Sequence, residues 1–462
     1  PTTKQVEHVK ILHGYSKPAA RSCYRVEGPN GKGIFDFNKI VWDYDHATNY
    51  FTKRARIEPD QVHTVLHTII HPSQHNLPGV VEAKAKEVQG HVDFGTFELV
   101  KEADLSPQQL QKVIPATWVV VYKGIPGKGK IKARLCARGD REPGVDQIRT
   151  DAPTASKDSI RILLSVAASK GRKISSLDFK NEFVQGKVID RELYMRPPPD
   201  LRASNPGMLL KIIKRLYGLR DAARGWIQEV RDCLLGLGMT QSSMDRAVYL
   251  YIVKGELMGI IVTHIDDFLY IGNEIFHEKV INKVLEKYVI GALETESFTF
   301  TGWELTQSHS GITLTQRDYL QQISLDHYAH MKSFTCKDSQ LLGESDQSLY
   351  RKMCGVLNWL VTSSKPSLAH TSSVMSGKLG KATKADAKSL LRTLEKAKGE
   401  PEVLKFSNLG DPKKWEIDLF ADAALGKSQD PESYIGDISF IRGPNGLRNV
   451  VNWNSGKLDV PT

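Results

Sequence analysis

The chain contains a single Asp-Asp doublet, Asp266-Asp267, set between two apolar runs, Met258-Gly259-Ile260-Ile261-Val262-Thr263 and Phe268-Leu269-Tyr270-Ile271-Gly272. Both runs are rich in β-branched and aromatic residues and have glycine at their outer ends. They therefore read as two strands of a hairpin with the acids at its turn. Adjacent carboxylates at such a turn repel each other, and a hard divalent cation with oxygen ligands explains them better than structure does. Two-metal chemistry also needs an acid from a separate element. Asp178 offers one, closing the short run Lys173-Ile174-Ser175-Ser176-Leu177-Asp178, with Phe183 five residues later. Taken alone, Asp178 reads as a solvated strand-end carboxylate.

Length and charge agree with a globular protein that has a polyanionic partner. At 462 residues the chain has room for about three domains on the usual prior. Its 63 basic and 53 acidic residues give a net charge of +10, which favours nucleic acid through counterion release. Lys123, Lys128, Lys130, Lys132, Arg134, Arg138 and Arg141 gather on or beside an expected hairpin that turns at Gly124-Ile125-Pro126-Gly127-Lys128-Gly129. A lysine-protected edge strand gives the same pattern. No apolar run is long enough to span a bilayer, so no membrane partner is expected. The five cysteines lack metal-ligand spacing and read as reduced thiols. Lys4, Glu7, His8 and Lys10 interrupt any signal-peptide core, so the expected setting is cytoplasmic or nuclear rather than secreted.

Five segments become specific when taken in order. Lys132-Ala133-Arg134-Leu135-Cys136-Ala137-Arg138-Gly139, Asp151-Ala152-Pro153-Thr154, Leu177-Asp178-Phe179-Lys180, Leu216 to Trp226 and His264-Ile265-Asp266-Asp267 resemble the reverse transcriptase of copia-type retrotransposons. Their joint occurrence is far more selective than any one of them. The resemblance runs from about residue 81 to the C-terminus.

It implies an α+β right-hand polymerase of fingers, palm and thumb, followed by a helical connection and a truncated ribonuclease H-like sheet. The expected division is 1–80 of unknown role, 81–305 fingers and palm, 306–405 thumb and connection, and 406–462 partial ribonuclease H. The implied activity is RNA-directed DNA synthesis on an RNA or DNA template-primer from deoxynucleoside triphosphates, in the setting of a cytoplasmic virus-like particle or the nucleus. Asp178, Asp266 and Asp267 become the catalytic metal ligands for two Mg²⁺ ions about 4 Å apart, with Mn²⁺ as a substitute and Asp267 the weaker or outer ligand. Lys132, Arg134 and Arg138, on one face by strand alternation, become the candidates to meet the triphosphate. Phe183 becomes the steric gate against a ribose 2′-hydroxyl, and Arg220 and Asp221 become pocket residues.

Several positions depart from the family pattern. Glu182 stands where a small residue is usual, and its charge would repel a triphosphate unless it points away or finds a cation. His264, Asp221 and Ala223 replace residues more often seen there, and Val289 and Ala292 stand where relatives can carry lysines. Glu182 and the truncated ribonuclease H-like segment keep open a second reading, a decayed or domesticated copy that binds nucleic acid without catalysis.

Helices are expected over Ser159–Ala168, over Ala222–Leu237 with a Trp226, Val230, Leu234 and Leu237 stripe, over Tyr350–Leu360 and over Ala382–Lys398. Phe298–Leu305 resembles the hairpin that grips the primer end. Strands are expected at Trp415–Asp422, Ile438–Arg442 and Val450–Trp453. Asp422 matches the first acid of a ribonuclease H site; one acid of four cannot hold two metals, so no hydrolase activity is expected. His63, His67, His71 and His75 recur every four residues, but Pro72 interrupts them, and Leu66, Ile69 and Ile70 read as a simple core stripe.

Overall fold

The computed structural model describes residues 10–12, 23–28, 31–36, 67–123, 129–335, 337–400, 402–424 and 433–458. The turn at 124–128 with Lys128, together with His63 and Cys336, lies outside them. The chain divides into two compact units, one of Pro1–Thr64 with Gly144–Ile148 and one of Val65–Pro143 with Arg149–Thr462. In the first, Lys10–Leu12, Cys23–Gly28 and Gly31–Asp36 form an antiparallel meander, with Gly28 opposite Gly31. Residues 67–80, grouped with the N-terminal region on sequence grounds, belong to the second unit.

The second unit is α+β. Helix α1 (Pro78–Asp93) lies against a long hairpin of β1 (Val113–Lys123) and β2 (Lys130–Ala137), where Val80, Val120 and Ala133 form a small core. β1 also pairs with the strand His67–Ile69. A 3-10 turn, Pro72–Gln74, follows with His71 as its cap, so His67, His71 and His75 do not share a helix. Of the expected core stripe, Ile70 packs against the Val80, Val120 and Ala133 core, Ile69 is 73% exposed, and Leu66 lies outside the described residues.

The central sheet explains the continuous apolar runs of the sequence. Its strands are β3 (Ser175–Phe179), β4 (Val248–Val253), β5 (Glu256–His264), β6 (Asp267–Gly272) and β7 (Ile290–Thr295), in the spatial order β4-β5-β6-β3-β7, with Thr240–Gln241 at the β4 edge. Ile260, Val262, Leu269 and Ile271 face one core, while Ile261, Phe268, Tyr270, Leu177 and Phe179 face another. Both faces are buried, so neither strand shows polar alternation.

Two helices cover those faces. Helix α2 (Lys157–Lys170) is capped by the Ser156 side chain, which accepts from Ser159 N, and ends at Gly171 with φ +60. It buries Ile160, Leu163, Leu164 and Ala167 against the first face. Helix α3 (Ala222–Gly236) sets Trp226, Val230 and Leu234 against the second. Leu237, the expected last member of that stripe, follows the helix as its cap and is only partly buried.

A four-stranded sheet, β8 (Ser297–Phe300), β9 (Trp303–Ser308), β10 (Gly311–Thr315) and β11 (Leu404–Phe406), continues the first core. The turn between β8 and β9 uses Thr301 and Gly302 at positive φ, as a two-residue hairpin requires. A second core lies among α4 (Glu344–Ser363), α5 (Ala369–Gly377) and α6 (Lys384–Gly399). The last sheet, β12 (Glu416–Ala424), β13 (Ser433–Arg442) and β14 (Arg448–Leu458), sends Val450 and Trp453 into the first core. That core therefore runs across the expected boundaries at 305 and 405. No helix among the described residues is long and apolar enough to cross a membrane.

Candidate active site

β5 and β6 pair with His264 opposite Asp267, leaving Ile265 and Asp266 as a two-residue turn. Ile265 sits at φ +52, an unfavourable conformation for a β-branched residue. Two hydrogen bonds hold it: Trp226 Nε1–H donates to the Ile265 carbonyl at 2.8 Å, and Phe179 N–H donates to the Asp266 carbonyl at 3.1 Å. Trp226 is thus a core anchor, as its helical spacing suggests, and also a clamp on the acidic turn.

Register brings the third acid alongside. Asp178 of β3 lies directly opposite Asp267 of β6 on one side and Ala292 of β7 on the other. A bulge between Ile290 and Ala292 places Gly291 against it, where an added Cβ would stand 2.2 Å from Asp178 Oδ2. Gly291 escaped sequence analysis because its neighbour comes from a strand more than a hundred residues away.

The cluster is crowded with negative charge. Burial raises the Asp267 carboxyl to about 7, with repulsion from Asp266, Asp178 and Glu182 adding to it. Glu182 is also pushed up to about 7, chiefly by burial, with Asp266 contributing. Beside the turn, burial lowers the His264 imidazole. Hard carboxylate oxygens that disfavour one another's ionisation are the donor chemistry a divalent cation satisfies. Among the described residues no group of three or more His, Cys, Asp or Glu forms a ready-made cage. Asp178 and Asp266, with Asp267 behind them, would instead share a cation with ligands from substrate and water.

The remaining expected residues separate. Lys132 is exposed on β2, and Arg134 lies over the Tyr217 ring at 4.5 Å. Arg138 follows the end of β2, and its guanidinium grips Asp140 through two bonds of 2.8 and 2.7 Å. Phe183 stands in a 3-10 turn after Asp178, its ring 4.9 Å from that of Tyr217. Arg220 is exposed. Asp221 departs from the expectation of a pocket residue: it is 6% exposed and accepts from Arg191 at 2.9 and 3.0 Å and from Arg215 at 2.8 Å. Arg191 also binds Glu142, so Asp221 belongs to a buried ion network that fixes the start of α3.

Residues 95–337, more than half of the chain, match the family described as reverse transcriptase (RNA-dependent DNA polymerase). The chain belongs to that family. It is 27% identical over 377 residues to the retrovirus-related Pol polyprotein from transposon RE1 of Arabidopsis thaliana, covering 78% of this chain and 25% of that protein. The RE2 polyprotein of the same plant is 26% identical with the same coverage, and that of TNT 1-94 from Nicotiana tabacum is 28% identical over 49% of this chain and 17% of its own. These are copia-type elements, as the ordered motifs imply. The chain spans about a quarter of the length of the first two. A foamy viral protease-reverse transcriptase, solved in complex with double-stranded DNA, aligns over 82% of this chain and 56% of its own at 15% identity, with a TM-score of 0.48.

Proposed function

We propose that this reverse transcriptase domain is a working RNA-directed DNA polymerase that extends a primer on an RNA or DNA template from deoxynucleoside triphosphates. The observation that carries the reading is the register of Asp178 against Asp267, with Asp266 held at the adjoining turn, in a chain of this family. Asp178 and Asp266 would hold two Mg²⁺ ions, or Mn²⁺, with Asp267 as the outer ligand. When bound, such ions lower the pKa of the primer 3′-hydroxyl and neutralise charge on the transferring phosphoryl group.

The protein's own residues do the positioning. Trp226 and Phe179 fix the carbonyls of the acidic turn, so the Asp266 carboxylate needs little reorganisation to reach its reactive position. Gly291 leaves the Asp178 carboxylate room. Lys132 and Arg134 on β2 supply positive charge for the triphosphate, and the Phe183 ring bars a ribose 2′-hydroxyl from the sugar site.

The non-catalytic alternative has no observation in its favour. Its motives were Glu182 and the partial ribonuclease H-like segment, and the Glu182 carboxylate is buried and accepts a hydrogen bond from Tyr217. The test is extension of oligo(dT) on poly(rA) with dTTP and Mg²⁺ or Mn²⁺, beside an Asp266→Ala control. Extension by the parent and silence from the control are expected. A folded parent that binds the duplex without extending it would remove the polymerase reading.

A further inference from the structure

Glu182 is the carboxylate near the site that the family pattern does not account for. Asn181, at φ +54 and ψ +50, opens the 3-10 turn Glu182–Gln185. Glu182 turns inward to 3% exposure, and both of its carboxylate oxygens lie 3.0 Å from the Tyr217 hydroxyl, which donates to them. Its charge is felt at Asp267, so it lies within electrostatic reach of the catalytic acids.

Tyr217 is itself anchored. Its carbonyl accepts from Ala137 N–H at 2.8 Å at the end of β2. The next residue, Gly218, sits at φ +90 with an added Cβ only 2.0 Å from the Ala137 carbonyl oxygen, so close backbone approach fixes the tyrosine to the fingers hairpin. One neighbour of its ring is the Arg134 guanidinium at 4.5 Å, and another is the Phe183 ring at 4.9 Å and 71°. Phe183 therefore has an aromatic neighbour whose orientation is set by a partly buried hydrogen bond to the residue that precedes Phe183 in sequence.

We propose that Glu182 and Tyr217 act as one positioning device for the Phe183 ring, so that sugar selection depends on the hydrogen bond behind the gate as well as on the gate. The inference rests on the polymerase reading. Losing the bond frees the Tyr217 ring to turn and lets Phe183 retreat, which admits a 2′-hydroxyl. A carboxylate is not required: any acceptor of the same shape at 182 keeps the tyrosine in place.

The experiment measures kcat/KM for dGTP and for GTP on oligo(dG)–poly(rC), in the parent and in Phe183→Ala, Tyr217→Phe, Glu182→Ala and Glu182→Gln. Loss of one hydrogen bond is expected to lower the dGTP/GTP ratio by about tenfold in Tyr217→Phe and in Glu182→Ala. That fall should come from faster GTP use, whereas mere loosening of the fold would slow both nucleotides together. Glu182→Gln keeps an acceptor and should keep the parent ratio. If Glu182→Ala does not fold, Tyr217→Phe reads the same bond. A lowered ratio in Phe183→Ala with parent ratios in both Tyr217→Phe and Glu182→Ala overturns the inference and leaves the polymerase reading intact. A parent that incorporates no dGMP overturns the reading, and the inference with it.

Discussion

Gly291 and Asp178 are in contact across two strands so closely that a single methyl group on the glycine would stand 2.2 Å from the carboxylate oxygen. The Asp178 side chain can reach its present position only because residue 291 has none. Gly291→Ala should therefore displace the carboxylate and slow primer extension by at least about a hundredfold, the effect of misplacing a reacting group by about 1 Å. Thermal unfolding should change little, since the moving group is the free end of a side chain. Near-parent extension by Gly291→Ala would show that Asp178 does not work from this position.

The acid cluster makes stability depend on pH in a stated direction. Asp267 has a folded pKa of about 7, raised by burial and by Asp266, Asp178 and Glu182 from 3.8. The folded state thus holds its proton more tightly than the unfolded state does. The resulting stability is fully present below the unfolded pKa and is lost as pH rises through the folded one. The melting temperature of metal-free protein should fall between about pH 4 and about pH 7, and Asp267→Asn should lessen the fall, with Glu182, also raised to about 7, supplying the rest. Matching slopes in parent and variant would remove Asp267 as the cause.

Trp226 should matter for rate out of proportion to its place in the core. Trp226→Phe keeps most of the ring but removes the N–H that holds the Ile265 carbonyl at 2.8 Å. An unpaired buried carbonyl costs about 1–3 kcal/mol. The strained turn that carries Asp266 then relaxes. The expected outcome is a fall in kcat of about tenfold or more with a smaller effect on KM, read by steady-state extension. A change in stability alone would make Trp226 a packing residue only.

Arg161 joins segments far apart in sequence. It is 1% exposed, donates to the carbonyls of Val451, Thr362 and Ser363 at 3.0, 2.9 and 3.1 Å, and lies 3.9 Å over the Trp453 ring. The planar fork is what serves three carbonyls at once, and a lysine cannot replace it. Arg161→Lys and Arg161→Met should each lower unfolding free energy by roughly 3 kcal/mol in urea titrations, because both leave buried carbonyls without a donor. Rescue by lysine would mean that the charge, and not the fork, is what counts.

The acidic hairpin was legible because two continuous apolar runs around an acidic pair have few other uses, and both strands prove buried on both faces. The helices over 157–170, 222–236 and 384–399 were legible from sequence. Contacts made through distant segments were not. Asp221 looked like a pocket residue beside a helix start, yet Arg191, which neutralises it, comes from another part of the chain. Arg161 lies within the expected helix, and the carbonyls it serves lie 200 to 290 residues away. Gly291 acts through strand register and a bulge, neither of which leaves a local signal. The break that Pro72 makes in the histidine series was legible, but the strand His67–Ile69 that turns Ile69 outward was not.

The central claim is that Asp178 on β3 and Asp266 at the β5–β6 turn carry one chemical step together. Single-turnover extension of oligo(dT)–poly(rA) by the parent, Asp178→Ala, Asp266→Ala and the double variant tests it most directly. Groups that act as a unit are non-additive. Each single substitution should therefore abolish extension by about a thousandfold or more, and the double variant should be no slower than either. An inactive parent, or single variants that keep most of its rate, would contradict the account.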